Sequence, residues 1–266
     1  MNIKILNLDE QHIDDLIYIC SRFPPYNEPL LTGIKIKKKW LLHMLNNYGS
    51  VAKIGYFNDK PVAQIIYYPE IANPVGYMRE NVLVLQCVYN PNPETQRKGM
   101  AKRLIKSLID ETKKIDKYDF IATYAFETGE YYSQREFLLK ENFKPIINGD
   151  KEDLYYPLTG KTLDRGIFNP WREPVQPYIP LKEDRNRAII FYTPTCESSY
   201  VFAKKTYDVV KMVEPNLNIT LINYWEKPRE FLKRNRHWFI VNANSIKATI
   251  FNKEQLIKEI KIALKN

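Results

Sequence analysis

The chain has little cysteine and little histidine for its length. Its 266 residues include three of each, and Cys20, Cys87 and Cys196 are far apart in the sequence. An odd number of scattered cysteines argues against a disulfide framework and for a reducing compartment. The histidines have no ligand spacing with the cysteines, so the sequence predicts no metal site.

Long apolar runs are also missing. No stretch approaches the roughly 18 apolar residues that a membrane-spanning helix requires, and the first residues lack the pattern of a signal peptide. We therefore expect a cytoplasmic protein that does not cross a membrane. The formal charge of +9 suits phosphate groups or an acidic partner. Because the lysines are dispersed, we do not expect a nucleic-acid footprint.

One segment, residues 80–112, combines a buried strand, a polar turn and an amphipathic helix. Its first part, ENVLVLQCVYN, is a near-continuous apolar run, which is typical of a strand covered on both faces. In its last part, apolar residues recur at helical spacing from Ala101 to Thr112. Between them, Gly99 allows a ligand to approach the backbone, and the first amides of the helix suit a phosphate.

The turn QRKGMA in this segment resembles motif A of the GNAT superfamily of acyl-CoA N-acyltransferases, whose pattern is Q/R-x-x-G-x-G/A. Gln96 takes the first position, Gly99 the first glycine and Ala101 the final small residue. The resemblance implies that this turn holds the pyrophosphate of acetyl-CoA and that the preceding strand binds the pantetheine arm through its backbone. The residues expected at the cosubstrate are Cys87, Val88, Tyr89, Gln96, Arg97, Lys98, Gly99, Met100, Ala101 and Lys102.

The elements around this segment fit the same resemblance, which covers roughly residues 1–158. A first strand near residues 3–8 precedes a helix capped by Asp9. Residues 21–33 contain three prolines and a glycine and are predicted to form a loop, before a helix that ends at Gly49. Further strands are predicted at residues 51–57, 61–68, 118–126, 143–147 and 154–158, and a further helix at 130–140.

Acyl transfer to an amine needs a base for the ammonium and an acid for the departing thiolate. Family members often show Y-x-x-x-G-F with the tyrosine as that acid, but here these two slots hold Leu138 and Asn142. Tyr131 and Tyr132 are the candidate acids instead, and Glu127 is the candidate base. Packing is the alternative role for both tyrosines, and capping or solvation is the alternative for Glu127.

The remaining chain predicts a connector and a second domain. Residues 159–185 are rich in proline and are predicted to form an extended connector. Residues 186–266 alternate strands and helices in the order βαβαββα of a thioredoxin-like domain, and they resemble the YoaP-like domain that follows some bacterial GNAT domains. Cys196 lies where such proteins carry C-x-x-C, with Ser199 in the second position. The last two strands of this domain are predicted at residues 238–241 and 247–251.

The sequence therefore predicts an α/β (α+β) protein: a GNAT mixed sheet flanked by helices, then a smaller thioredoxin-like domain. The predicted activity is transfer of an acetyl group from acetyl-CoA to a primary amine on a small molecule or peptide, by direct attack. One alternative is a non-catalytic CoA-binding module whose C-terminal domain recruits a protein partner. Another is a monothiol redox protein that uses Cys196, because a cysteine at a helix N-terminus tends to have a lowered pKa.

Overall fold

The structure, a computed structural model, describes residues 2–21, 26–126, 132–169, 172, 174 and 176–265. The chain forms two compact units. The first unit comprises Met1–Pro24 and Leu41–Asn169, and the second comprises Pro25–Trp40 and Pro170–Asn266. The domain boundaries predicted at residues 158 and 186 stay predictions. Among the helices of the described ranges, none is both long and apolar enough to cross a membrane.

Seven α-helices, three short 3-10 helices and eleven strands account for the regular structure of the described residues. The α-helices are α1 (Ile13–Ser21), α2 (Glu28–Tyr48), α3 (Met100–Ile115), α4 (Gln134–Lys140), α5 (Glu197–Val213), α6 (Pro228–Leu232) and α7 (Lys253–Lys265). The strands are β1 (Ile3–Asn7), β2 (Ala52–Phe57), β3 (Lys60–Pro69), β4 (Val82–Tyr89), β5 (Phe120–Tyr124), β6 (Lys144–Pro145), β7 (Asp153–Pro157), β8 (Arg187–Tyr192), β9 (Asn218–Asn223), β10 (Phe239–Val241) and β11 (Asn244–Ser245).

The first unit is built on one mixed sheet with the strand order β1-β2-β3-β4-β5-β7-β6. Only β4 and β5 are parallel neighbours among these strands. The apolar stripe of α3 packs on this sheet, and its Leu104 and Leu108 share a buried cluster with Leu83 and Leu85 of β4. The predicted mixed sheet flanked by helices is therefore confirmed.

The hairpin between β2 and β3 shows how local sequence sets the register of this sheet. Asn58 and Asp59 both adopt left-handed backbone conformations, with φ of 48° and 62°. Two such residues in succession form the turn whose twist matches that of the flanking strands. The strands predicted at residues 51–57 and 61–68 are therefore confirmed as β2 and β3, which pair as a hairpin.

The start of α2 differs from the prediction, because residues 28–33 are helical and not part of a loop. The Asn27 side chain accepts a 3.1 Å hydrogen bond from the Leu30 amide and so caps the helix. Pro29 is tolerated because the first turn of a helix needs no donor from it. Gly33 lies inside the helix, and the close approach of another segment requires a glycine there. A Cβ at this position would clash with the backbone carbonyl of Glu197.

The start of α4 also differs from the prediction, which placed a helix over residues 130–140. Ser133 caps α4, and its hydroxyl accepts a 3.1 Å hydrogen bond from the Glu136 amide. A serine in this role fixes the first helical residue as Gln134, because the cap itself has a non-helical backbone.

The second unit contains a four-stranded sheet with the order β11-β10-β8-β9. β8 and β9 are parallel, whereas β10 is antiparallel to β8 and to β11. Its elements follow the predicted order βαβαββα. Helices α5 and α7 enclose a second buried cluster, which contains Val210 and Ile260 together with Ile190 and Phe239 of the sheet.

The prediction of a strand at residues 247–251 is wrong. β10 pairs with β11 instead, because Asn242 and Ala243 adopt φ of 45° and 56° and form a two-residue turn directly after β10. The amides of Lys247 and Ala248 instead donate to the Glu259 carboxylate, at 2.8 and 3.0 Å. A side chain of α7 therefore takes the donors that a strand would have used.

Candidate functional site

The first feature of the site is the place where β4 and β5 stop pairing. Their parallel ladder ends at the pair Val84 and Ala122, although β4 continues to Tyr89. The Thr123 hydroxyl still donates a 2.8 Å hydrogen bond to the Leu85 carbonyl oxygen. Within the described residues, β4 then runs on without forming further ladder pairs with β5, and residues 86–89 are half-buried.

At the same place, β4 carries a bulge toward its other neighbour, β3. The register shifts by one residue, so Gln86 has no counterpart in the β3 ladder. A bulge of this kind re-aims the side chain of the extra residue. Here the Tyr68 hydroxyl donates a 2.8 Å hydrogen bond to Gln86 Oε1, which holds the amide at the point where the β4–β5 ladder has ended.

The turn between β4 and α3 is closed by its own polar groups. The hydroxyl of the buried Thr95 donates to Asn90 Oδ1 at 2.9 Å, and Asn90 Nδ2 donates to the Thr95 carbonyl oxygen at 3.3 Å. The amides of Thr95 and Gln96 both donate to the Asn92 carbonyl oxygen, at 3.0 and 3.1 Å. Gln96 Nε2 donates to the Asn90 carbonyl oxygen at 3.3 Å, so the Gln96 side chain belongs to the turn's own network.

The N-terminus of α3 has no capping side chain. Its N-cap residue is Gly99, with φ of 75°, and its first turn contains no acidic residue. A Cβ at Gly99 would meet nothing within 4 Å, so the space beside this backbone is open. The first amides of a helix lack intrahelical partners and carry partial positive charge. Met100 at the start of α3 is buried and packs against Gly55, which fixes the helix end on the sheet.

The basic side chains predicted at this turn are exposed, and two of them have contacts. The Lys98 ammonium lies 5.2 Å from the centroid of the Phe57 ring. Lys102 Nζ lies 3.3 Å from a carboxylate oxygen of Glu141. Arg97 adopts a left-handed backbone with φ of 61°, which turns the chain into Gly99.

The three predicted strand residues lie on the half of β4 that extends beyond its ladder with β5. Val88 packs against the buried cluster of the first unit. Cys87 stands opposite Ile66 of β3, and Tyr89 stands opposite Gln64. The structure therefore brings these three residues and the turn 96–102 into one continuous strand–turn–helix segment.

Of the three catalytic candidates, the structure describes Tyr132 alone, because Glu127 and Tyr131 lie outside the described residues. Tyr132 is 60% exposed, and its hydroxyl accepts a hydrogen bond from Lys140, whose ammonium also lies 5.1 Å from the ring centroid. The hydrogen bond to Tyr132 is the main cause of a raised pKa of Lys140. No hydrogen bond or ring contact among the described residues joins Tyr132 to the β4–α3 turn.

Leu138 and Asn142, which replace the tyrosine and the glycine of the motif Y-x-x-x-G-F, have structural roles. Leu138 is fully buried in the core cluster. Asn142 adopts φ of 67°, a conformation that otherwise favours glycine. The Phe143 amide donates to the Leu138 carbonyl oxygen at 3.0 Å, and the Asn142 amide donates to that of Leu139 at 3.1 Å. These two bonds end α4 in a Schellman motif, for which asparagine serves in place of glycine.

Cys196 in the second unit does not have the lowered pKa that its position predicts. It is the N-cap residue of α5, but its side chain makes no capping hydrogen bond. Although the residue is exposed, desolvation by the surrounding protein raises the pKa of the thiol, and the adjacent Glu197 carboxylate raises it further. The opposing effect of Lys37 is smaller. This environment disfavours the thiolate that a monothiol mechanism needs.

Sequence reasoning missed several residues that shape this region. Gln86 and Tyr68 were missed because a bulge depends on how two distant strands align, and neither strand carries a local signal of it. Asn90 and Thr95 had a recognisable signal, since asparagine and threonine side chains often bond nearby backbone in turns.

No family model matches the chain, and no curated protein matches it. Among solved structures, it is similar to the PaiA N-acetyltransferase of Thermoplasma acidophilum in complex with coenzyme A, with 19% identity and a TM-score of 0.43, over 58% of this chain and 97% of that one. A GNAT family acetyltransferase of Brucella melitensis in complex with acetyl-CoA is similar at 13% identity and a TM-score of 0.42, over 63% and 96%. An N-acetyltransferase of Staphylococcus aureus is similar at 16% identity and a TM-score of 0.42, over 60% and 100%.

Proposed function

We propose that the chain is an N-acetyltransferase of the GNAT type, which moves an acetyl group from acetyl-CoA to a primary amine by direct attack. The observation that carries the proposal is the uncapped N-terminus of α3, where Gly99 leaves open space beside helix amides that have no intrahelical partners. A diphosphate fits such a place because it accepts hydrogen bonds and its charge is opposite to that of the helix end. The QRKGMA turn, with its resemblance to motif A, is the sequence counterpart of this geometry.

In this proposal the diphosphate is held by the backbone of residues 96–101, with added charge from Arg97, Lys98 and Lys102. The pantetheine arm lies along the half of β4 that extends beyond the β5 ladder, against the backbone of Cys87, Val88 and Tyr89. A parallel neighbour would otherwise occupy that side of the strand, so the end of the ladder at Val84 is what makes room for the arm.

For the chemistry, we propose Tyr131 or Tyr132 as the acid that protonates the leaving thiolate and Glu127 as the base that deprotonates the amine. An acid and a base are both needed because the ammonium must lose a proton before attack and the thiolate gains one after it. Two observations support Tyr132 as the acid: its side chain is exposed, and the cation Lys140 donates a hydrogen bond to its hydroxyl.

For the second unit, we propose a thioredoxin-like accessory domain of the YoaP type that binds a protein partner and performs no redox chemistry. The strand order β11-β10-β8-β9, with one parallel pair, supports this fold. Ser199 in the second position of the C-x-x-C pattern supports the absence of dithiol redox chemistry.

The proposal is tested by thermal unfolding of the full chain with and without acetyl-CoA. A ligand at about 100 times its Kd stabilises the folded state by about 2.7 kcal/mol, which gives a clear rise in Tm. Gly99→Glu should remove this rise, because a carboxylate would replace the open space and repel the diphosphate. Gly49→Glu is the matched control, since Gly49 also has a positive φ, of 77°, and a Cβ there would also meet nothing within 4 Å. A well-folded wild type with no rise in Tm would refute the cosubstrate assignment.

One observation favours the non-catalytic CoA-binding alternative: the slot of the usual acid holds the buried Leu138. Release of CoA from acetyl-CoA in the presence of a panel of amines separates the two functions. Binding without release for any amine would favour the binding module.

A further inference from the structure

The bulge residue of β4 has a side chain that is held on one side and open on the other. The Tyr68 hydroxyl donates to Gln86 Oε1 at 2.8 Å, and Tyr68 itself is only 2% exposed. Because Tyr68 is fixed by burial, the bond fixes the orientation of the Gln86 amide. Within the described residues, Gln86 Nε2 makes no hydrogen bond, and Gln86 is half-buried.

The Gln86 amide lies just beyond the point where β4 and β5 stop pairing. The β4–β5 ladder ends at Val84. The hydroxyl of Thr123 in β5 then donates a hydrogen bond to the carbonyl oxygen of Leu85, one residue before the bulge. If the diphosphate lies at α3 and the arm runs back along β4, the far end of the arm reaches the region of Gln86. That far end carries the thioester.

We propose that Gln86 donates a hydrogen bond from Nε2 to the thioester carbonyl oxygen of acetyl-CoA. This inference rests on the proposed function, since it requires acetyl-CoA along β4. Gln86 would then be a catalytic residue that touches the reacting group, and Tyr68 would be the positioning residue that aims it.

The step needs such a donor. The amine nitrogen forms a bond to the carbonyl carbon, and an electron pair moves onto the carbonyl oxygen. The pair then returns as the C–S bond breaks, and the thiolate leaves and gains a proton while the amine loses one to the base. A donor aimed at the oxygen stabilises the charge that develops there more than it stabilises the neutral thioester. An uncharged amide offers two N–H donors and does not titrate near neutral pH, so Gln86 serves as a donor and not as a base.

The test uses acetyl-CoA labelled with ¹³C at the carbonyl and bound to the full chain. A hydrogen bond to the oxygen weakens the C=O bond, so the isotope-edited infrared band should lie at lower wavenumber in the wild type than in Gln86→Leu. With any amine that the wild type acetylates, Gln86→Leu should also lower kcat/KM by about 10²–10³-fold, the usual loss for an oxyanion donor. Tyr68→Phe should shift the band part of the way, because the amide remains but is no longer aimed.

Gln64→Leu is the matched control, because Gln64 is a buried glutamine of the neighbouring strand β3 whose Nε2 bonds Cys20 Sγ at 2.8 Å. It should lower stability without moving the band. Gln86→Met removes the same donors if Gln86→Leu fails to fold. Wild type that does not bind acetyl-CoA would refute the proposed function and this inference together. Binding with the same band position in wild type and in the Gln86 variants would overturn this inference alone.

Discussion

Two strand–turn–helix segments in the chain have helix N-termini of opposite character. In the first unit, α3 begins after Gly99 with no capping side chain and no acidic residue in its first turn. In the second unit, α5 begins after Cys196 with Glu197 in its first turn. The Glu197 side chain is 1% exposed and lies 2.9 Å from Lys37 Nζ, whose side chain is also 1% exposed.

The comparison shows that the same local element can bind a ligand or join parts of a fold. The first turn of α5 contains the protein's own carboxylate, Glu197, which Lys37 of α2 neutralises. The positive end of α3 faces no carboxylate from its own first turn, and a glycine keeps the approach open. A carboxylate in the first turn, and not the strand–turn–helix pattern, therefore separates the structural N-terminus from the candidate binding site.

The largest effect should come from breaking the ion pair at α5. Lys37→Met leaves Glu197 buried without its cation, and we expect a loss of about 3–5 kcal/mol in the free energy of unfolding. Urea unfolding of the full chain measures this loss. The double variant Lys37→Met with Glu197→Leu should recover much of it, because no buried charge remains. A single-variant loss below about 1 kcal/mol would contradict the role assigned to the pair.

The second prediction gives α3 the acidic first turn that α5 has. Ala101→Glu places a carboxylate at the second helical residue, where it should stabilise the ligand-free protein by about 0.3–1 kcal/mol through the helix dipole. It should also weaken acetyl-CoA binding by at least about tenfold, the equivalent of 1.4 kcal/mol, because it competes with the diphosphate. Calorimetric titration measures the affinity. Ala101→Gln is the control of equal shape without charge, and equal affinities for the two variants would contradict the anion-binding role of this helix end.

The third prediction concerns the thiol at the α5 N-cap. Because desolvation by the surrounding protein and the Glu197 carboxylate raise the pKa of Cys196, the midpoint of its alkylation rate against pH should be higher in the folded chain than in urea. The sign for stability follows: a thiol whose pKa is raised by folding stabilises the fold fully below its unfolded pKa, and this contribution is lost as pH rises through the folded pKa. Iodoacetamide kinetics in a chain with Cys20→Ser and Cys87→Ser isolates the thiol. A lower alkylation midpoint in the folded chain than in urea would contradict this prediction, because the N-terminus of α5 would then favour an anion.

The β4–α3 segment was predictable because its signals are local. An apolar run, a helical apolar period and Gly99 between them lie within residues 80–112, and each element forms for a reason that its own residues carry. The bulge at Gln86 and the end of the ladder at Val84 were not predictable, because they depend on the alignment of β4 with β3 and β5. The fold of the candidate site could therefore be predicted from the sequence, whereas the position of its proposed reacting end could not.

The errors in the prediction also arise from distant partners. Pro29 and Gly33 suggested a loop, but the first turn of a helix accepts proline, and the missing Cβ of Gly33 is needed against the backbone of Glu197. Residues 247–251 had the composition of a strand, yet the carboxylate of Glu259 takes the amides of Lys247 and Ala248. Local composition cannot report a partner more than ten residues away.

The smallest effect should come from the exposed ion pair on the same part of α2. Lys39 Nζ lies 3.0 Å from a carboxylate oxygen of Glu226, but these side chains are 80% and 56% exposed. Lys39→Met should therefore change the free energy of unfolding by only about 0–1 kcal/mol, and about 1 M salt should abolish even that difference because it screens exposed charges within a few ångströms. The same salt should leave the cost of Lys37→Met largely intact, since water and ions do not reach that pair. The two variants make the same substitution two residues apart on one helix, so equal losses would show that burial is not what distinguishes the N-terminus of α5.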